Sequence, residues 1–193
     1  GALTNGAPPT FQQFSRRIFS ASYTDENPTE LINPEVVLSY NRSSMFIDEL
    51  AFGPNTFDLH SETASYNGKF ANTFSSDLGP LGAGKITAGV DFFHDEGRGD
   101  IEGGFGGAIP LQNEETSKNI GAFVQARLTV TERFRGSLGG RFDQQEFEGI
   151  DGTELDGGGP SANVNLEYDV IPGITPYAGA GTTYGGIPLG ESL

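Results

Sequence analysis

Chemistry needs titratable, nucleophilic or metal-binding side chains, and this chain holds them in uneven supply. Cysteine is absent, which removes thiolate nucleophiles, disulfides and Cys-based zinc sites. The two histidines, His60 and His94, are too few for a His-rich metal cage. A neutral imidazole at His94 could ligate an iron porphyrin, although a single His at a strand end is more commonly an interfacial residue. The adjacent carboxylates Asp95 and Glu96 suggest acid–base work, but no nucleophile or flanking base accompanies them. Gly-Gly-Phe-Gly-Gly at 103–107 and the glycines at 157–159 lack the Lys-Ser/Thr of a phosphate loop and read as flexible loop. The expectation is a protein with no catalytic residue, no metal site and no cofactor.

Charge sharpens this. The chain carries 26 Asp and Glu against 11 Lys and Arg, a net charge of −15. Nucleic acid is therefore an unsuitable partner, since phosphates need clustered Lys and Arg. Asp143, Glu146, Glu148, Asp151, Glu154 and Asp156 form one acidic segment, and Asp95, Glu96, Asp100, Glu102, Glu114 and Glu115 a second. Hard cations favour several carboxylate oxygens, yet neither spacing fits an EF-hand loop. Solvated external loops, with diffuse divalent bridging to lipopolysaccharide, are the expectation.

The elements that position these residues follow from periodicity. From Asn119 to Val130 the even positions read Ile, Ala, Val, Ala, Leu, Val, and the odd ones Asn, Gly, Phe, Gln, Arg, Thr. This is strand alternation, since a helix would not gather the apolar set on one face. After Thr131-Glu-Arg133 it resumes, with Phe134, Gly136, Leu138, Gly140 and Phe142 opposing Arg135, Arg141 and Asp143. Ala162–Val170 repeats the pattern, setting Glu167 and Asp169 opposite Val164 and Leu166, and Ile174–Tyr184 follows. Upstream, Ile86–Phe92, Ala64–Phe74, Val36–Asn41 and Arg17–Tyr23 alternate in the same way. The spacing predicts about eight strands of roughly 9–12 residues, the length a tilted strand needs to cross a bilayer.

No run approaches the ~18–20 consecutive apolar residues of a membrane helix. A mean hydropathy of −0.32 is still compatible with barrel strands, which turn only alternate residues to lipid. The predicted connections alternate between short (Ser75–Gly84, Thr131–Arg133, Ile171–Gly173, with Tyr23–Pro34 intermediate) and long and polar (Asn41–Thr56, His94–Lys118, Asp143–Pro160). Such alternation fits a meander with short periplasmic turns and long external loops.

The run from Asn119 to Asp143 resembles the central hairpin of TonB-dependent outer-membrane receptors, with their G-x-F-x-Q strand, T-[DE]-R turn and L-x-x-G-x-R-x-D strand. Ser161–Tyr168 followed by Pro172-Gly173 and Pro176-Tyr177 is similar to the next hairpin of that family. Tyr184–Ser192 resembles a closing F-R-x-P-x-x-x-E box, with Gly185 where the family has Arg. The resemblance implies an all-β meander within a barrel of ~22 strands, with residues 1–193 a partial barrel domain of about the middle third. It implies an outer-membrane location, a separate plug domain, the TonB energy-coupling protein and a ferric chelate (siderophore or heme) as partners, and lipid with lipopolysaccharide around the wall.

On this reading Arg127, Arg135, Arg141, Glu167 and Asp169 face the lumen, where they meet the plug or the ligand. Ala122, Val124, Leu128, Leu138, Val164 and Leu166 face lipid. The segments 94–118 and 143–160 should be the least regular parts and the first cut by protease. The first and last strands should be edges that do not pair with each other, because an eight-stranded barrel would have to fill its interior with these charged and small side chains. The competing readings are a small complete outer-membrane barrel with a structural or adhesive role, and a secreted calcium-binding β-domain.

Overall fold

In the computed structural model the alternating segments form one antiparallel sheet. It describes residues 11–52, 55–77, 79, 82–103 and 111–186. The strands are β1 (Phe11–Thr24), β2 (Pro34–Phe52), β3 (Asn55–Asp77), β4 (Ala83–Gly103), β5 (Leu111–Thr129), β6 (Phe134–Glu148), β7 (Glu154–Tyr168) and β8 (Tyr177–Thr182). Each pairs only with its neighbours in sequence, in the order β1 to β8. No ladder joins β1 to β8 among the described residues, so the meander stays open with two free edges, as expected.

Register decides the faces, because residues directly opposite in an antiparallel pair point the same way. Ala126 pairs with Leu138 and Leu138 with Val164. Leu128 pairs with Gly136 and Gly136 with Leu166, while Val124 pairs with Gly140. These share one face with Ile86, Val90 and Phe92 of β4. Arg127, Arg135, Arg141 and Glu167 occupy the other, since Arg127 opposes Ser137, Arg135 opposes Thr129 and Glu167, and Arg141 opposes Phe123 and Ser161. The predicted division therefore holds.

The sheet is one layer thick and has almost no interior. Ala71, at 9% exposure, is the sole core hydrophobic residue among those described. Leu138 is 52% exposed, Phe142 53% and Ile120 59%. A contiguous apolar face of this extent has no stable existence in water.

Two expectations are corrected. The segments assigned to long external loops are largely strand: β2 and β3 extend to Phe52 and Asn55, β4 and β5 to Gly103 and Leu111, β6 and β7 to Glu148 and Glu154. Segments 94–103, 111–118, 143–148 and 154–160 are thus regular, and residues 53–54 and 104–110 lie outside the described residues. In the β4–β7 extensions polar residues predominate on both faces, and in β2 the run Met45-Phe46-Ile47 puts apolar residues on both, so alternation carries no clear hydropathy signal while the backbone ladder continues. Pro160 is accommodated because pairing to β8 starts at Ala162, leaving an open edge where a missing N–H costs little. Secondly, β7 stops at Tyr168, so Asp169 lies in the following turn instead of on a strand.

A single register row marks where the apolar face ends. Phe19, Tyr40, Tyr66, His94, Lys118, Glu146 and Asp156 follow one another across seven strands. The Tyr40 and Tyr66 rings lie 5.0 Å apart and Tyr66 and His94 6.0 Å apart. On β4 the residues below the row are Ile86, Ala88, Val90 and Phe92, and those above it Glu96, Arg98, Asp100 and Glu102. Amphipathic rings at such a boundary are the signature of a membrane interface.

At the other end the turns are tightly hydrogen-bonded. Thr131 Oγ1 accepts the N–H groups of Arg133 and Phe134 at 3.3 and 3.0 Å, which explains Thr at the head of the Thr-Glu-Arg turn. Gly173 takes φ +87°, a conformation that side chains oppose. The β1–β2 turn folds over β3, with Asn33 N–H donating to Asn72 Oδ1 at 2.8 Å and Asn72 Nδ2 to the Leu31 carbonyl at 3.0 Å.

In a lipid bilayer, Leu138→Arg should destabilise the full-length barrel by about 2–4 kcal/mol. Gln125→Arg, on the opposite face, should cost much less. Reversible urea unfolding in liposomes checks the pair, and equal costs would contradict the face assignment.

Candidate functional site

The polar face gathers most of its charges into two networks, beside the Lys69–Glu35 ion pair and one exposed pair of cations. The first is centred on Arg141. Asp91 of β4, Gly121 of β5 and Asp143 of β6 stand in one register row, and Arg141 sits two residues before Asp143 on the same face. Its guanidinium donates from Nη1 to Asp91 Oδ2 and from Nη2 to Asp91 Oδ1, both at 2.6 Å. Nε donates to Asp143 Oδ2 at 2.8 Å, and Nη2 to Asp143 Oδ1 at 2.6 Å. The side chain crosses β5 at Gly121, where an added Cβ would collide with Nη2 of Arg141. Gly121 is therefore a saddle that lets one cation bind carboxylates on strands two apart. Asp143 is 8% exposed and is the buried charged residue of this face; bidentate, charge-assisted bonding offsets the cost of desolvating it.

The second network lies at the turn end. Arg135 donates to both carboxylate oxygens of Asp169, at 2.7 and 2.9 Å, and more weakly to Glu167 at 3.4 Å. Thr175 Oγ1 donates to Asp169 Oδ1 at 2.7 Å, and Asp169 N–H to the Arg133 carbonyl at 2.8 Å. Strands β6 and β7 and the turn after β7 are locked together. The Arg135 guanidinium, and then the Thr175 hydroxyl, hold the Asp169 carboxyl at a pKa of about 2, below the ordinary carboxylate range.

Arg127 is different. It is exposed, stands directly opposite Lys85, and lines an open hollow of about 700 Å³ with Lys85, Asp77, Arg135 and Glu167. The five residues singled out from sequence thus reach one face, but they divide: Arg135, Glu167 and Asp169 form one network, Arg141 joins another, and Arg127 joins neither.

The partners Asp91 and Asp143 were visible as same-face charges, since residues two apart on a strand share a face. Gly121 as the crossing point, and Lys85 beside a presumed connection, were not. His94 lies inside β4 on the apolar-face row, beside Tyr66 and within 2.7 Å of Glu96. It points away from the charged face, which removes it as a ligand for anything held there. Asp95 and Glu96 likewise point to opposite faces. Among the described residues no group of His, Asp and Glu is arranged to hold a metal ion.

A one-layer antiparallel meander with a lipid-compatible face bounded by aromatics, and a charged face behind it, is the wall of a membrane β-barrel. The chain belongs to the TonB-dependent receptor family: residues 3–191 match the family's "TonB dependent receptor-like, beta-barrel" model. Proteins of this family are receptors and transporters, not enzymes, and reside in the outer membrane of Gram-negative bacteria. The chain is 30% identical over 179 residues to the heme transporter BhuA of Brucella ovis, and equally to that of Brucella abortus, covering 93% of this chain and 26% of each relative. It therefore spans about a quarter of those proteins. The copper transporter OprC superimposes with a TM-score of 0.74 at 19% identity, over 89% of this chain and 30% of OprC. The ferric citrate transporter FecA gives 0.72 at 14%, over 88% of this chain and 27% of FecA.

Two outcomes follow from the networks. Gly121→Val should displace the Arg141 guanidinium and cost about 1–3 kcal/mol. In an Arg141→Ala background the same change should cost about 1 kcal/mol less, as read by a double-mutant cycle on chemical denaturation. Because the folded pKa of Asp169 lies below its unfolded value, its contribution is present above about pH 4 and fades as pH falls toward 2. Thermal melts from pH 5 to 2 should show a loss that Asp169→Asn no longer displays.

Proposed function

We propose that this chain is part of the barrel wall of an outer-membrane, TonB-dependent receptor that imports an iron chelate, with heme or a siderophore as the carried ligand. The observation that carries the reading is the division of one uncovered sheet between two environments. One face needs lipid, and the other needs a polar lumen occupied by protein and solute. The free edges of β1 and β8 pair, in the complete protein, with further strands of a barrel of ~22. A domain that plugs the lumen and couples to TonB supplies the moving part. The polar strand extensions above the Tyr40–Tyr66–His94 row stand at the level of lipopolysaccharide. Similarity to proteins named as heme and ferric citrate transporters supports an iron-containing cargo.

Arg127, Arg135, Arg141, Glu167 and Asp169 have structural roles toward the lumen on this reading. The two closed networks brace the wall, and the hollow at Arg127 faces whatever fills it. None of this asks for covalent chemistry by the chain. Energy comes from the inner membrane.

Deleting the full-length gene should abolish growth on heme or on a ferric siderophore as sole iron source, and the intact gene should restore it only in a strain with functional TonB. The protein should fractionate with outer membranes. Unchanged growth on every iron source would overturn the transport reading in favour of a structural barrel.

A further inference from the structure

The strands carry six cations on the polar face, Arg16, Lys69, Lys85, Arg127, Arg135 and Arg141, and four have partners. Arg16 Nε donates to Asn41 Oδ1 at 3.0 Å and Lys69 Nζ to Glu35 Oε2 at 2.8 Å; Arg135 and Arg141 sit in the networks above. Lys85 and Arg127 are the exception, with no hydrogen bond or ion pair among the described residues. They are also directly opposite each other on adjacent strands, an arrangement that places their Cβ atoms about 5 Å apart and is unfavourable for like charges.

Their own row offers no relief. Ser75 flanks Lys85, and Ser137 and Asn165 follow Arg127. In the next row toward the turns, Asp77 accepts the Gly79 N–H at 3.0 Å, and Glu167 is engaged by Arg135. An Arg fork and a Lys point charge side by side suit one carboxylate, which the Arg binds through two oxygens while the Lys neutralises the remaining field.

We infer that Lys85 and Arg127 together receive a single carboxylate from the polypeptide that occupies the lumen of the complete barrel, an inference that rests on the receptor reading above. Two features favour a chain-borne carboxylate over a free anion. The pair lies at the turn end, two residues inside β4 and two before the end of β5, far from the strand extensions through which a solute would enter. The hollow also sets the carboxylates Glu30, Asp77 and Glu167 against the cations Lys85, Arg127 and Arg135, a balance that leaves no excess positive charge to hold a multiply charged solute but suits one carboxylate held in place by its backbone.

The test uses ligand-free full-length protein purified from outer membranes. A water-soluble carbodiimide joins an amine to a touching carboxylate as an amide, and proteolysis with mass spectrometry locates the link. Lys85 should be joined to an Asp or Glu outside residues 1–193. Arg127→Glu should lower that product about tenfold, the equivalent of one charge-assisted bond lost, while Arg127→Lys keeps most of it. Links from Lys85 only to Asp77 or Glu30, or no link at Lys85 while other barrel–lumen links form, overturn this assignment alone. A product that appears only when a ferric chelate is added also overturns it, in favour of a solute site. Absence of any link between barrel and a lumen domain overturns the receptor reading together with it.

Discussion

Every part of this structure depends on the continuous ladder of backbone hydrogen bonds that joins eight strands in sequence order. A single sheet with almost no buried side chain cannot be held by a core. What remains is pairing, and in an apolar medium pairing is obligatory, because an unsatisfied N–H or C=O costs several kcal/mol there. The apolar residues stabilise the fold only by matching the solvent on their side of the sheet. Leu138, Phe142 and Ile120 are half exposed because nothing in a one-layer sheet packs over them.

The same constraint explains the charged face. Polar side chains over the ladder must find one another or find water, and Arg141 solves this by spanning three strands. Its reach depends on an absent side chain, Gly121, and on Asp143 being two residues along the same strand. Arg135 performs a similar task at the turn end, with Asp169 delivered by the turn after β7 and not by the strand. Charge pairing here follows register as well as proximity in sequence: Arg141 binds Asp143 two residues away and Asp91 fifty residues away.

Above the Tyr40–Tyr66–His94 row the sheet continues without a continuous apolar face. Strand β3 runs for 23 residues, about 75 Å at ~3.3 Å per residue, well beyond a hydrocarbon layer of about 30 Å even when tilted. The acidic residues of segments 94–103, 111–118, 143–148 and 154–160 are spread over both faces of these extensions. That arrangement keeps them solvated and apart, and among the described residues it leaves no carboxylate cage for a cation.

Alternation in the sequence was enough to read about eight strands, the face on which each side chain lies within the apolar band, and the unpaired outer edges of β1 and β8. It could do so because each of those strands has one apolar and one polar face, and a period of two in hydropathy records that difference directly. That 94–103, 111–118, 143–148 and 154–160 are strand became visible in the folded sheet alone, since where polar residues predominate on both faces the alternation fades and the ladder leaves no trace in composition. Register likewise decided that Arg141 reaches Asp91 across Gly121, that Lys85 confronts Arg127, and that His94 turns toward the boundary. Each depends on which residue of the next strand stands opposite, and a one-residue slip would have moved every one of them to the other face.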